Sequence, residues 1–207
     1  MTTFWHPGWT VEKNAFANLV VTALKPTFRG KSAARRYKLA RERIDQAFER
    51  YRSAPDAPPL GCRSFDCFGC CLHQDEVGTT DFEVERILNR VQRERRLNDV
   101  VTRAEALVAK KTGGACPLLS QDGRCTVYDI RPLECASYHS LDREACHSGA
   151  TAQIRYAPML RIELTLISGF GMVPVADMDR RSPLPKKDLF DELARRGRAR
   201  LGQRKAA

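Results

Sequence analysis

Apolar side chains recur at helical spacing between residues 32 and 52, and Ser32 ahead of them is a suitable N-cap. The apolar positions are Tyr37, Ala40, Ile44, Ala47, Phe48 and Tyr51. Basic side chains occupy the other face: Arg35, Arg36, Lys38, Arg41, Arg43, Arg50 and Arg52. The pattern predicts an amphipathic helix whose basic face is exposed to solvent.

A second helical region extends from Thr80 to Lys111. Thr80 stands three residues before Glu83, which is the spacing of a capping box at a helix start. The segment RERRLND then interrupts the apolar stripe of this region. We therefore predict two helices with a break near Asn98.

Turn signals dominate residues 116–135. An Asp-Gly pair lies between PLLS and RCTVY, an arrangement typical of a β-hairpin, and Cys116 and Cys125 flank it. Pro132 suits the first turn of a short helix, which would carry Cys135. The segment therefore predicts a hairpin followed by a short helix.

The two ends of the chain are less regular. Residues 154–175 show both alternating and helical apolar spacing, so helix and strand stay open for them. Residues 188–207 predict a short amphipathic helix that ends in a basic tail. Aromatic side chains cluster at the N-terminus, at Phe4, Trp5, His6 and Trp9. This N-terminal segment is expected to pack as an arm on the rest of the chain.

The chain has no window of roughly 18 apolar residues, the length that a membrane-spanning helix needs. Its N-terminus has no apolar stretch behind a basic start, so a secretory signal is not expected. We therefore expect a cytoplasmic protein that does not associate with membranes. In a reducing compartment, clustered cysteines indicate metal binding or catalysis more often than disulfides.

The chain's eight cysteines form two groups. The first is Cys62-x4-Cys67-x2-Cys70-Cys71, and the second, after 44 intervening residues, is Cys116-x8-Cys125-x9-Cys135-x10-Cys146. Two intervening residues let a tight turn bring both sulfurs of a CxxC pair onto one metal ion. All eight cysteines are therefore candidate metal ligands, and we interpret the two groups as halves of one constellation.

The neighbouring pair Cys70 and Cys71 narrows the choice of metal. Side chains of consecutive residues diverge in helices and strands, so these two thiols are awkward ligands for one tetrahedral ion. A cluster with several irons, or two separate ions, would accommodate them, and thiolates bind zinc as well as iron–sulfur clusters. Zinc and an iron–sulfur cluster therefore both stay open, with 4Fe–4S favoured. His73, His139 and His147 lie near cysteines in the sequence and are further candidate ligands.

The formal net charge of +10 makes nucleic acid a candidate partner. Metal binding would reduce this charge, because a site with four thiolates on Zn²⁺ or on a cluster core of charge +2 carries about −2. One such site would leave about +8 and two would leave about +6. Arginines near the cysteines could also be counter-charges to the thiolates: Arg63, Arg124, Arg131 and Arg143.

These motifs resemble the YkgJ-like family, a zinc- or iron-chelating domain named for its CxxCxxCC cluster. The shared features are the CFGCC run, the helix start TTDFEVERI, the ACPLL segment, the DGRCTVYDIRPLEC segment and Tyr138 after it. The resemblance spans residues 62–140. It implies a mostly helical domain, organised by cysteines, that holds zinc or an iron–sulfur cluster.

The resemblance carries ligand roles over to Cys62, Cys67, Cys70, Cys71, Cys116, Cys125 and Cys135. The chain differs from the family pattern at two places. The first gap holds four residues instead of two, directly after Cys62. Many members have a cysteine about five residues after the one that matches Cys135, where this chain has His139 and Ser140 and reaches Cys146 only later.

The predicted fold class is mainly α with a small β-hairpin, a compact helical domain organised around a cysteine metal site. We predict an N-terminal arm and basic helix at 1–60, a cysteine-cluster metal-binding domain at 61–148, and a C-terminal extension with a basic tail at 149–207. The predicted function is metal binding with a redox or metal-assisted role. The alternative is a zinc-stapled module that binds nucleic acid or an acidic protein partner. No phosphate loop, G-x-S-x-G turn or HExxH helix assigns a reaction.

Overall fold

The computed structural model describes residues 8–61, 68–74, 76–110, 113–150, 156–175 and 187–205. Its helices are α1 (Val11–Phe28), α2 (Ala33–Ser53), α3 (Gly69–Leu72), α4 (Asp81–Arg93), α5 (Leu97–Lys110), α6 (Leu133–Ser137), α7 (Arg143–Ser148), α8 (Pro158–Met172) and α9 (Leu189–Lys205). A 3₁₀ turn spans Tyr128–Ile130, and the strands are β1 (Gly78–Thr79) and β2 (Lys187–Asp188). The prediction of a mainly helical fold is confirmed.

The chain divides into two compact units. The first consists of residues 1–60, 133–141 and 156–185, and the second of residues 61–132, 142–155 and 186–207. The division into arm, metal-binding domain and extension stays a prediction. In the described residues, no helix is both long enough and apolar enough to cross a membrane.

Aromatic contacts and one close helix approach form the core of the first unit. There α2 packs against α8, and α1 and α6 also contact α8. The rings of Phe28 and Phe170 lie 5.8 Å apart, and Phe48 is fully buried. A Cβ at Gly171 in α8 would lie 2.6 Å from the Ala40 Cβ in α2, so only glycine permits the observed approach of these helices.

Helix α8 resolves the segment for which helix and strand were both open. Its buried residues are Leu160, Ile162, Leu164, Leu166, Ile167, Ser168, Phe170 and Gly171. Because α8 is buried on more than one side, its apolar residues fit both the helical spacing and the alternating spacing of a strand. The ambiguity in the sequence is therefore a consequence of burial.

Ser32 caps α2 as predicted, because its Oγ accepts a hydrogen bond from the Arg35 N–H at 3.4 Å. Most of the basic face of α2 is exposed, as predicted: Arg35, Lys38, Arg43, Arg50 and Arg52. Arg36 is buried and donates to the Lys31 carbonyl at 2.7 Å. Three other basic residues form ion pairs within this unit: Lys38 with Glu42, Arg50 with Glu163 and Arg52 with Glu49.

In the second unit, α9 packs against α5 and α4, and β1 pairs with β2. The pairing is antiparallel, with Gly78 opposite Asp188 and Thr79 opposite Lys187. The Asp188 carboxylate also accepts a hydrogen bond from the Val77 N–H at 3.1 Å. The sheet therefore fixes the start of α9 next to the start of α4.

The hairpin predicted at the Asp-Gly pair is reduced to a single antiparallel bridge between Leu119 and Cys125. Gly123 at the tip has a φ of 78°, which is in the left-handed region. The Ser120 Oγ closes the turn by accepting from the Arg124 N–H at 3.0 Å. Beyond the bridge the backbone enters the 3₁₀ turn, so no strand continues within residues 113–150. The predicted turn and its antiparallel pairing are therefore present, but they are limited to this bridge, and the paired strands β1 and β2 lie elsewhere.

The break between α4 and α5 falls at residues 94–96, earlier than the predicted break near Asn98, which lies in the first turn of α5. Arg95 has a φ of 58°. The Arg96 N–H donates to the Val91 carbonyl at 2.8 Å, as in a Schellman motif. An arginine takes the left-handed position where glycine is usual, which is why the sequence gives no clear stop at this point.

The predicted capping box at the start of α4 is confirmed. The Thr80 Oγ1 accepts from the Glu83 N–H at 3.3 Å, and the Glu83 carboxylate accepts from the Thr80 N–H at 2.9 Å. We expect Thr80→Ala to lower the free energy of unfolding by about 1 kcal/mol, as for other N-cap substitutions. Urea unfolding measures this change. Thr102→Ala, at an exposed position inside α5, is the matched control and should be neutral or slightly stabilising.

Candidate metal centre

The structure describes six of the eight candidate cysteines, and none of these six is in a disulfide. Cys62 and Cys67 lie outside the described residues. Cys135 is in α6 of the first unit, as predicted for the short helix after Pro132. The other five belong to the second unit: Cys70 and Cys71 in α3, Cys116 and Cys125 on the two sides of the turn, and Cys146 in α7.

Backbone hydrogen bonds join the two cysteine groups within the second unit. Gln74 and Gly114 form an antiparallel bridge with two N–H to carbonyl bonds of 2.9 Å each. Next to this bridge, the Cys116 N–H donates to the Cys71 carbonyl at 2.7 Å. A cysteine of the second group is therefore held directly beside one of the first group.

The Arg103 side chain holds the segment that carries Cys116. Its guanidinium, which projects from α5, donates to the Leu119 carbonyl at 2.6 Å and to the Cys116 carbonyl at 3.1 Å. Both are hydrogen bonds from a charged donor, which are stronger than neutral ones. Arg103 therefore fixes the backbone on both sides of the tight turn after Cys116.

The thiols of Cys70 and Cys71 are in contact. A hydrogen bond between these two side chains, together with burial, raises the pKa of Cys70. Consecutive side chains of a helix are about 100° apart, and in the single turn of α3 this leaves the two sulfurs within reach of each other. That the pair is awkward for one tetrahedral ion stays a prediction.

The thiols of Cys116 and Cys125 lie close to that of Cys70. The pKa of Cys116 is raised to about 12, mainly by burial and to a smaller extent by the charges of the Cys125 and Cys70 thiolates. Burial also raises the pKa of Cys125, with a smaller contribution from Cys70. Three cysteines from the two sequence groups, of which Cys116 is buried and Cys70 and Cys125 are half-buried, therefore interact electrostatically within the second unit.

Two guanidinium groups act against this mutual repulsion. Arg131 lowers the pKa of Cys70 and of Cys125, and Arg103 lowers the pKa of Cys116. Arg131 was one of the arginines expected to be a counter-charge to thiolates, whereas no motif in the sequence pointed to Arg103. Arg103 contacts the segment of Cys116 because of its position on α5. That position cannot be related to the cysteines until the fold is known.

Helix α7 lies directly against α3. A Cβ added to Gly69 would lie 3.0 Å from the Cβ of Cys146 and 2.8 Å from the Cδ2 of His147. Cys146 is 4% exposed, so its thiol is buried at this contact. Gly69 thus permits the close packing that brings Cys146 next to the helix of Cys70.

The three candidate histidines differ in their surroundings. The Nε2 of His147 is buried and has no hydrogen-bond partner among the described residues. The Nε2 of His73 lies 3.0 Å from the His147 carbonyl. His139, in the first unit, is 2% exposed and packs edge-on against the rings of Phe48 and Tyr156. In the second unit, the buried Nε2 of His147 is therefore the ring nitrogen that could bind an added group.

Within the described segments, no group of three or more His, Cys, Asp and Glu side chains is arranged so that it could hold a metal ion. The predicted fold class included a domain organised around a cysteine metal site, and the described residues do not form such a site. What they contain is a hydrogen-bonded pair of thiols, Cys70 and Cys71, and electrostatic interactions of the Cys70 thiol with those of Cys116 and Cys125.

Residues 61–155 match the family model described as "CxxCxxCC: Putative zinc- or iron-chelating domain". This segment is therefore similar to the CxxCxxCC family. The CxxCxxCC domain covers just under half of the 207-residue chain and contains all eight cysteines. No curated protein and no solved structure matches the chain. The resemblance expected from the motifs is therefore confirmed, and the family's description supports a metal-binding role for the CxxCxxCC domain.

Proposed function

We propose that the CxxCxxCC domain holds zinc or an iron–sulfur cluster through its cysteines. The observation that carries this proposal is the 2.7 Å bond from the Cys116 N–H to the Cys71 carbonyl, which joins the two cysteine groups. The proposed ligands are Cys62, Cys67, Cys70, Cys71, Cys116, Cys125, Cys135 and Cys146. Among these, Cys62, Cys67 and Cys135 are proposed from the sequence alone.

The chemistry of the described donors fits a bound metal. Burial favours the neutral thiols of Cys116 and Cys125, and a metal cation would supply the positive charge that stabilises their thiolates. The buried Nε2 of His147 lacks a hydrogen-bond partner among the described residues and could coordinate a metal or donate to a sulfur. These features support a thiolate site that is completed when the metal binds.

When bound, zinc would stabilise the fold, and an iron–sulfur cluster could also transfer electrons. The chain's own residues would exclude water from the site and supply counter-charge through Arg103 and Arg131. We favour a 4Fe–4S cluster, because its separate irons could each take one thiolate of the neighbouring pair Cys70 and Cys71. A cytoplasmic setting would keep these thiols reduced.

Metal and acid-labile sulfide analysis of protein purified without oxygen tests the proposal. For a 4Fe–4S cluster we expect about four irons and about four sulfides per chain, and a brown protein. A zinc site would give a colourless protein with zinc and no sulfide.

The three outcomes are distinct. Zinc without sulfide would contradict the cluster and leave the metal-binding proposal in place. Protein that holds neither zinc nor iron after anaerobic purification, and binds neither when they are added, would contradict the whole proposal. Iron with matching sulfide would support the redox role.

The alternative of a zinc-stapled binding module receives little support from the described residues. Its basic surface was expected on α2 and on the Arg-rich tail. Ion pairs and the burial of Arg36 reduce the available positive charge on α2, and ion pairs of Arg196, Arg198 and Arg200 do so on α9. Retention on heparin that falls steeply with salt would favour this alternative.

A further inference from the structure

A cleft of about 560 Å³ lies along α4. Its lining residues are Arg86, Asn89, Arg90, Gln92, Arg93 and Ile130. The three arginines recur at helical spacing, so their guanidinium groups share one side of α4. The volume of the cleft is within the range of small-molecule sites.

Arg200 of α9 fixes the orientation of the two amides in this cleft. Its Nη1 lies 2.9 Å from the Oδ1 of Asn89 and 3.0 Å from the Oε1 of Gln92. A guanidinium can only donate, so both amide oxygens must face Arg200. Their NH₂ groups are thereby left for other partners. With the arginines, the polar groups of the cleft wall are therefore all hydrogen-bond donors.

Carboxylates neutralise only part of this positive charge. Arg90 donates to both oxygens of Asp129, at 3.3 and 2.7 Å, and lies 3.7 Å from Glu94. Arg86 lies over the Phe82 ring, 5.5 Å from its centroid, and its charge also lowers the pKa of Asp129. In the part of the chain that the structure describes, no acidic side chain forms an ion pair with Arg93.

These arginines lie near the C-terminal end of α4, where positive charge interacts favourably with the helix dipole and stabilises the helix. That effect accounts for their charge, but it does not account for a cleft whose polar groups are all donors. A ligand for such a wall must supply acceptors and negative charge. Guanidinium forks match the oxygens of phosphate particularly well.

We propose that this cleft binds the phosphate group of a small phosphorylated molecule, with Arg86, Arg93 and the amides of Asn89 and Gln92 as donors. Arg90 also donates to the phosphate, either while it keeps its hydrogen bonds to Asp129 or after it releases them. The site is independent of the metal proposed for the cysteines. Its test therefore neither depends on that metal nor bears on it.

Titration calorimetry of the full chain with pyrophosphate, at constant ionic strength, tests the proposal. We expect saturable binding that Arg93→Gln and Arg86→Gln each weaken at least about tenfold, which corresponds to the loss of one charge-assisted hydrogen bond. Asp129→Asn should bind pyrophosphate more tightly, because Arg90 then has one fewer carboxylate partner. Arg35→Gln, at an exposed position on α2, is the matched control and should bind like the unchanged protein.

Three results would overturn the proposal. One is the absence of saturable pyrophosphate binding. Another is an equal loss of affinity in Arg35→Gln and Arg93→Gln, which would mean that only net charge matters. The third is tighter binding of a short oligo-uridine than of pyrophosphate, weakened by Arg93→Gln, which would assign the surface to nucleic acid.

Discussion

Cys70→Ser is expected to lose bound metal and to lower the free energy of unfolding by at least about 4 kcal/mol, the stabilisation from a ligand present at 1,000 times its dissociation constant. Thiolate metal sites are assembled only as the chain folds, so metal binding and folding are lost together. The Cys70 thiol is hydrogen-bonded to Cys71 and acts electrostatically on Cys116. Metal content and denaturant unfolding, both measured without oxygen, give the two quantities.

A chelator separates the loss of metal from the loss of a side-chain contact. The unchanged protein, once stripped of metal, should unfold at the same denaturant concentration as Cys70→Ser, and the chelator should not destabilise the variant further. Ser148→Ala, an exposed change on the neighbouring helix α7, is the control and should keep its metal. Full metal content and unchanged stability in Cys70→Ser would show that Cys70 is not a ligand.

The helix starts were predictable from the sequence because a single side chain determines each of them. Ser32 caps α2 and Thr80 caps α4, and both carry their signal in one or two residues. The end of α4 was less predictable, since its left-handed residue is Arg95 and not a glycine. The start or end of a helix can be predicted from the sequence where the residue type is one that usually adopts the backbone conformation found there.

The sheet could not be predicted. Its strands are two residues long, so neither can show an alternating pattern, and more than half of the chain separates them. The Asp-Gly pair does form a turn, in which Gly123 has a positive φ. What the sequence did not indicate is that the backbone leaves the extended conformation directly after Cys125.

For the candidate site, the sequence predicts ligands but not the residues that hold them in place. Cysteine spacing and the family resemblance pointed to two groups that act together, and one backbone bond joins Cys71 to Cys116. The bridge beside it is made by Gln74 and Gly114 through main-chain atoms, which leave no signature in residue type. Arg103 is hidden for a similar reason, because it acts on carbonyl groups that any residue provides.

Arg103→Met is expected to lower the free energy of unfolding by about 2–3 kcal/mol and to weaken metal retention against a chelator about 10- to 100-fold. The substitution keeps most of the aliphatic stem and removes the donors to the Leu119 and Cys116 carbonyls. Without them, the segment that presents Cys116 is held less firmly. Arg35→Met, at an exposed position, should change stability by less than about 0.5 kcal/mol.

Arg103→Lys separates the charge of this side chain from its geometry. An ammonium group keeps the positive charge but lacks the planar fork that reaches both carbonyls at once. Burial affects the pKa of Cys116 more than the charge of Arg103 does. We therefore expect geometry to dominate, so that Arg103→Lys resembles Arg103→Met in unfolding and in metal retention. If Arg103→Lys instead behaves like the unchanged protein while Arg103→Met loses metal, the charge is what the thiolates require, and the two carbonyl bonds are secondary.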